Sequence, residues 1–534
     1  MIRDKSNYLK ILLAAFFALF VFLPLIQVLA NINGESWNSL LQQPNFGTLI
    51  RNSLTAASLS TLVSVALALM LSFCLARSNM RLKNMFKVVL TLPMLIPSIS
   101  HGWGLKMLLG DNGILTRWLG FETGVFGLTG IVIGSVMYSF PIAFLMLSDV
   151  LSYEDASPYE AADVLGINKA RQFSSITLPY LSKSLISVVF SVFTMVITDY
   201  GVPTAIGGTY TTLPVKLLSE FNFDPAGGKL SIYGAILLLP AVAAFIIDLL
   251  KKEQNRSGFV NKAIKPRKNA VRDGICYLLV IAMCVVVMFP IAAFVLQSIV
   301  KQYPNDMSLT ASHILAVFEK NGDDYLINSL LVSALVSVIG TAVAYLCAYC
   351  TARTHGVLSR SLHLMSITSM AIPGLVLGLS YTLFFSGSQL LYNTLGILIF
   401  VNAMHFFASP YLMIYNSFNI INKNLEDVGA TLNISRPRIL LNVLIPQTKD
   451  TLIEMMSYFF VNSMMTISAV SFLCNYNTRQ LALMITDFQG SGLMERAAFV
   501  SLMILFVNMV VKTTVYILKK VLKKKKGAAK AIAK

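Results

Sequence analysis

Apolar runs of about 20 residues recur along this chain, and each is long enough as a helix to cross the roughly 30 Å of bilayer hydrocarbon. Inside hydrocarbon every backbone N–H and C=O must find a partner within the protein, so only helices and closed barrels span it. The runs lack the alternation of barrel strands. The chain therefore reads as an all-α polytopic membrane protein. About twelve spans are expected, near 11–31, 52–76, 86–109, 125–148, 182–204, 230–250, 274–299, 328–352, 362–386, 394–418, 450–474 and 497–518. Composition agrees, with 56% of residues hydrophobic and 13% charged, a balance foreign to soluble domains.

The net charge of +17 invites a nucleic-acid reading, but its distribution argues against one. With the N-terminus inside, most of the 42 Lys and Arg fall on the cytoplasmic side, as the positive-inside rule requires. They cluster at Arg77, Arg81, Lys83 and Lys87, between Lys251 and Arg272, and in the tail from Lys519 to Lys534. Such a tail serves topology and attraction to anionic lipid. The first apolar run exceeds the core of a signal peptide, so an uncleaved first span is expected. Both termini are then cytoplasmic. The six cysteines lie in or beside spans, and Cys347-x-x-Cys350 reads as packing rather than redox or zinc chemistry.

The second half repeats the first. Asn328-Ser329-Leu330 answers Asn52-Ser53-Leu54, and Arg353, Pro373 and Gly378 answer Arg77, Pro97 and Gly102, all offset by 276 residues. Six spans per copy make the repeats parallel rather than inverted. The expected units are 1–250, a basic cytoplasmic linker 251–273, and 274–534.

Two polar interruptions stand out, Ser157 to Pro179 and Asn424 to Pro446, in step at an offset of 267. Ser157 and Asn424 are N-cap types, with Glu160 and Asp427 three residues on, where an acid completes a capping box or faces the helix dipole. Pro158 suits the first helical position. Pro158, Ala161, Ala162 and Leu165, and in the second copy Leu425, Val428, Gly429 and Leu432, fall at i, i+3, i+4, i+7, one face of a short helix. Gly166 and Asn433 suit the left-handed turn that closes it. Asn168 and Ser435 then open a second helix, expected to run to Pro179 and Pro446.

At these residues the chain resembles the permease subunits of ABC importers of type I, the MetI-like group. Glu160-Ala161-Ala162-x3-Gly166-x9-Ile176-x-Leu178-Pro179 looks like their EAA loop, and the second copy is a drifted version of it. The resemblance implies a coupling helix in each half, docked on cytoplasmic ATPase subunits that act as a dimer. Glu160, Ala161, Ala162, Gly166 and Pro179, with Glu426, Asp427, Gly429, Asn433 and Pro446, are the implied coupling residues. It also implies an extracytoplasmic substrate-binding protein and a location in the bacterial inner membrane. Glu160 reads both as a capping residue and as an ATPase contact.

The fused layout resembles the single-chain permeases of ferric-iron, thiamine and 2-aminoethylphosphonate importers. Thr198 to Gly208 looks like the aminoethylphosphonate group, and Phe460 to Val470 like that group and the iron permeases. Asp199, an acid near the outer end of its span, is a candidate for the path, as are Asn462 and Ser463, because intramembrane polar groups tend to be functional. No P-loop occurs, since Gly227-Gly228-Lys229-Leu230 lacks both spacing and hydroxyl. No catalytic, metal or cofactor motif stands out, so the chain reads as a non-enzymatic permease. The rival is a secondary transporter of the major-facilitator type, which also has twelve spans. Arg77-Ser78-Asn79-Met80-Arg81 lacks that family's Gly-x3-Asp-Arg pattern.

Overall fold

The computed structural model describes residues 2–120, 124–225, 227–250, 264, 266, 268–422 and 424–532. Most of the expected linker lies outside the described residues, as do Glu122 and the side chains of the tail beyond residue 522.

The first half consists of α1 (Asn7–Ala30), α2 (Phe46–Arg77), α3 (Lys83–Leu95), α4 (Ser98–Leu109), α5 (Leu128–Ser152), α6 (Ser157–Val164), α7 (Leu178–Ile197), α8 (Gly201–Ile206) and α9 (Gly228–Leu250). The second consists of α10 (Ala270–Ile299), α11 (Gly322–Ala352), α12 (Val357–Thr368), α13 (Gly374–Phe385), α14 (Leu395–His405), α15 (Ala408–Ile420), α16 (Leu425–Thr431), α17 (Ile445–Met465), α18 (Leu481–Gly490) and α19 (Met494–Ile532). Among the described residues the strands are one antiparallel hairpin, β1 (Val300–Gln302) with β2 (Asp306–Leu309), pairing Val300 with Leu309.

Seven helices are long and apolar enough to cross a membrane unaided, and four bent pairs raise the number to 11. The expected span outside this number is the eleventh, near 450–474, where α17 lies. It is long enough, but Lys449, Asp450 and Glu454 occupy its first turns, so its hydropathy is broken from within. Two of the bends fall at the repeated prolines. The chain turns through 101° between α3 and α4 at Pro97, and through 109° between α12 and α13 at Pro373. Proline lacks the N–H that would continue the ladder and clashes with the carbonyl four residues back.

The glycines beside these breaks are close-approach points. A Cβ on Gly102 would sit 2.6 Å from Ala205, one on Gly104 2.7 Å from Pro290, and one on Gly378 2.6 Å from the Ala469 carbonyl. The repeated Asn-Ser pair also has a structural meaning. Ser53 accepts the Leu213 N–H at 2.7 Å and Ser329 accepts the Leu481 N–H at 2.7 Å. Asn52 donates to the Thr211 carbonyl and Asn328 to that of Asn477. In each half the start of a long helix thus caps a short helix, Leu213–Phe221 or α18.

The first helix of each half packs on the other half. On α1, Phe20 stacks on Phe400 at 4.3 Å and Phe17 meets Phe407 edge-on at 5.0 Å, while Tyr381 donates to the Phe20 carbonyl at 2.7 Å. On α10, Pro290 faces Gly104, Tyr277 accepts the Arg81 N–H at 2.6 Å, and Asp273 accepts the Asn79 N–H at 3.1 Å. Each half is therefore clasped by a helix from its partner.

Candidate functional site

Both polar segments fold as helix, tight turn and helix, and the turn is set by the residue types the sequence offers. Gly166 has φ +69° and Asn433 φ +54°. Ile167 N–H reaches the Ala162 carbonyl at 2.9 Å and Ile434 N–H that of Gly429 at 2.8 Å, the bond that closes a Schellman turn. Asn168 caps the second helix, accepting the Arg171 N–H at 2.8 Å.

Several expected details are corrected. Ala156, not Ser157, occupies the first cap, because Asp155 bonds both the N–H and the hydroxyl of Ser157 and draws that residue into the helix. Pro158 consequently stands one position later. Asn424 and Ser435 do hold cap positions, but without a side-chain bond to the helix. The second helix does not end at Pro179 or Pro446. A π turn, Phe173–Thr177 or Leu440–Leu444, precedes each proline and carries the helix past it. The wider turn makes room where the pyrrolidine ring would strike the preceding carbonyl.

The expected apolar face is buried only at its centre. Ala162 and Gly429 are buried, and a Cβ on Gly429 would lie 2.2 Å from Ile439 Cδ1. In the first copy Gln172 takes the place of Ile439 and reaches Asp163 at 2.6 Å and the Ile167 carbonyl at 2.8 Å. Around these pivots the rest of the hairpin is open. Val164 is 88% exposed, Leu165 75% and Leu432 65%, with Val428 exposed beside it. Glu160, Ala161, Gly166 and Pro179 are exposed, as are Asp427, Asn433 and Pro446. Isolated exposed apolar residues are ordinary, but a cluster at the tip of a rigid hairpin on both copies forms a surface suited to a partner.

Glu426 is not part of that open surface. Its carboxylate takes Arg353 in a two-pronged bond, Nε to Oε1 at 2.7 Å and Nη2 to Oε2 at 2.5 Å. Arg353, whose side chain is 1% exposed, also donates to the carbonyls of Phe418, Ile421 and Asn422. One guanidinium thus joins the ends of α11 and α15 to α16. The first half reaches the same junction by other residues. Arg77, at the end of α2, pairs with Glu154 at 2.7 Å, and Glu154 also accepts from the Tyr159 phenol. That phenol meets Thr177 Oγ1 at 2.6 Å, and the Arg77 guanidinium stacks over its ring at 4.3 Å. Tyr159 and Glu426 share one position of the repeat. Burial pushes the Glu154 carboxyl up, opposed by Tyr159 and Arg77. Burial, then the bond to Glu154, pushes Tyr159 up to about 12, which keeps the phenol protonated as a donor at neutral pH. The sequence showed both arginines as repeat markers but not their partners.

The path candidates lie apart from the hairpins, Asp199 next to a seam between the halves and Asn462 and Ser463 on α17. Asp199 accepts Ser98 Oγ at 2.6 Å and the N–H groups of Gly201 and Val202 at 3.3 and 3.0 Å, so it caps α8 and ties it to α4. Asn462 donates to the Tyr458 carbonyl at 2.7 Å, and the Ser463 hydroxyl is buried with no hydrogen-bond partner among the described residues. Across the seam Tyr200 meets Ser471 at 2.8 Å, Phe221 packs on Phe472 at 4.4 Å, and Ser100 bonds Ser501 at 2.9 Å. Tyr200 and Ser471 escaped sequence reading because neither stands out until the halves are docked. Among the described residues no three or more His, Cys, Asp or Glu are grouped to hold a metal ion.

With the geometry in place, comparison with known proteins assigns the family. Binding-protein-dependent transport system inner membrane components match residues 64–254 and 327–526, once in each half. The ferric transport system permease protein FbpB of Actinobacillus pleuropneumoniae is 25% identical over 500 residues, covering 88% of this chain and 72% of that one. The molybdenum transport system permease protein ModB of Azotobacter vinelandii is 30% identical over 162 residues, 30% of this chain and 72% of that one. The spermidine/putrescine transport system permease protein PotC homolog of Mycoplasma genitalium is 26% identical over 224 residues, 42% of this chain and 76% of that one. Nothing in these likenesses supports the major-facilitator reading. The chain belongs to the binding-protein-dependent transport system inner membrane components, as a fused two-domain permease subunit of a type I ABC importer, without catalytic activity of its own.

Proposed function

We propose that the chain forms the translocation path of a ferric-iron importer and is driven through the hairpins at α6 and α16. The observation that supports iron is coverage. The ferric permease aligns along most of this chain, through both halves, whereas the molybdenum and polyamine permeases align with less than half of it. Purified candidate binding proteins from neighbouring genes, assayed for ferric iron, thiamine and 2-aminoethylphosphonate, test the substrate. A binding protein that stimulates uptake with a phosphonate and not with iron overturns it.

In this reading residues 1–250 and 274–534 are the two permease units, and both termini are cytoplasmic. Between the hairpins run three unbroken helices and three bent pairs. If each crosses once, the hairpins emerge on one face of the membrane. A dimer of ATPase subunits receives one hairpin each, through the open apolar tip at Leu165 or Leu432 and the adjoining Glu160 or Asp427. ATP-driven closure draws the hairpins together. The Arg77–Glu154–Tyr159 and Arg353–Glu426 junctions pass that displacement to α2 and α11 as a tilt. Coupling needs an element with two arrangements that both ends bias. The seam at Tyr200 and Ser471 supplies it, shut here and opened toward the external binding protein when the halves rock. Asp199, Asn462 and Ser463 lie along the polar lining that opening exposes. Replacing Leu165 and Leu432 with Glu tests the docking, with loss of ATPase subunits from the purified complex as the expected result.

A further inference from the structure

An open groove of about 340 Å³ runs between Phe86 on α3 and the side chains of Ile281, Cys284, Val285, Met288 and Phe289 on α10. Its lining is wholly apolar, and the α10 residues are exposed or half-buried on the outer face of the bundle. The groove spans about 12 Å of helix from Ile281 to Phe289 at about 1.5 Å rise per residue. At its cytoplasmic end stand Arg81, Lys83 and Lys87. Lys83 and Lys87 are four residues apart on one helix, where like charges repel.

The neighbouring sequence offers these cations no relief, since no Asp or Glu occurs between Arg77 and Gly110. Asp273 is the carboxylate within electrostatic range of Lys83. It is already occupied, accepting Arg272 through Nε and Nη2 and the N–H groups of Asn79 and Asn269. Exposed Leu82, Met85 and Val88 place α3 at the membrane surface rather than in water. Lys83 Nζ donates to the Ser78 carbonyl at 2.6 Å, which satisfies one of its three donors and leaves its positive charge without a carboxylate of its own. An apolar slot at acyl depth beneath this cationic pair is complementary to one molecule with both parts.

We infer that this groove is a binding site for an anionic phospholipid, one acyl chain lying along α10 and the phosphate seated at Lys83 and Lys87. Because α3 belongs to the first half and α10 to the second, the lipid bridges the halves at the clasp.

The test titrates phosphatidylglycerol, or phosphatidylcholine with the same acyl chains, into the detergent-solubilised full chain and reads bound lipid by native mass spectrometry. Each lysine near an anionic headgroup favours binding several-fold, so a preference for phosphatidylglycerol on the order of ten-fold is expected. Lys83→Gln with Lys87→Gln abolishes the preference, and Lys83→Arg with Lys87→Arg keeps it. Val285→Trp, which fills the slot, weakens both lipids. On the unaltered chain, raising salt toward 1 M, where the Debye length shrinks to about 3 Å, erodes the preference. Equal binding of the two lipids overturns the inference, as does a preference that survives the Gln pair. Displacement of phosphatidylglycerol by millimolar inorganic phosphate, with Val285→Trp silent, also overturns it, because the site would then hold phosphate rather than lipid.

Discussion

Removal of the Arg353 guanidinium offers the sharpest probe of how a hairpin is tied to its half. Arg353→Ala leaves Glu426, itself largely buried, without its counter-charge, and strips a donor from the carbonyls of Phe418, Ile421 and Asn422. Breaking a buried pair by removing one partner costs about 3–5 kcal/mol. Solvent recovers part of that for the carbonyls, so the lower bound of about 3 kcal/mol is the working figure. The cost falls on opening of α16 rather than on the whole chain, because the long helices keep their packing. Roughly 3 kcal/mol is a factor on the order of 100 in the opening equilibrium. Hydrogen exchange of the amides of Leu432 and Ile434, which close the helix and its turn, reads that equilibrium. The expected result is exchange faster by about two decades there and little changed at α13. Glu426→Ala alone gives a similar effect, and the double variant little more than either, since both remove one interaction. Additive effects of the two substitutions, or exchange at α16 unmoved by Arg353→Ala, refute the reasoning.

Gly429→Val places new atoms against Ile439 Cδ1 and destabilises the second hairpin by about 1–3 kcal/mol, with Ile439→Ala restoring it in a thermal unfolding assay. Gly166→Ala forces an L side chain into φ +69° at about 1–2 kcal/mol, whereas Gly166→Asn is tolerated, as Asn433 is in the second copy; hairpin hydrogen exchange reads the difference. The raised Glu154 carboxyl binds its proton more tightly folded than unfolded, so it favours the fold at low pH and that contribution is lost as pH rises through its folded value. Glu154→Gln should therefore flatten the stability–pH curve just above the ordinary Glu range. Tyr200→Phe removes the bond to Ser471, worth about 0.5–1.5 kcal/mol, and should raise substrate-independent ATP hydrolysis in the reconstituted complex.

Much of the fold was legible because a bilayer leaves few choices. Apolar length gives the spans, and the repeat offset pairs them. The count faltered at α17, where Lys449, Asp450 and Glu454 sit in a helix that hydropathy alone does not recognise. The hairpins were legible at Gly166, Asn433 and Asn168, where backbone conformation dictates residue type. They were not legible at Pro179 and Pro446. A proline normally stops a helix, and the π turns that let it continue leave no mark in the sequence. Glu426 was grouped with the docking residues because sequence spacing cannot show which way an acid turns. Its position is held by Tyr159 in the other copy, and only the fold shows each meeting the equivalent arginine of its own half, Arg353 or Arg77.

The account stands or falls on whether both hairpins receive the ATPase. Affinity purification of the full complex through a tag on this chain, followed by quantitation of ATPase subunits per chain, measures this directly. Two subunits on the unaltered chain are expected, about one with either Leu165→Glu or Leu432→Glu, and none with both. Full retention by the double variant, with the chain still monodisperse, contradicts it.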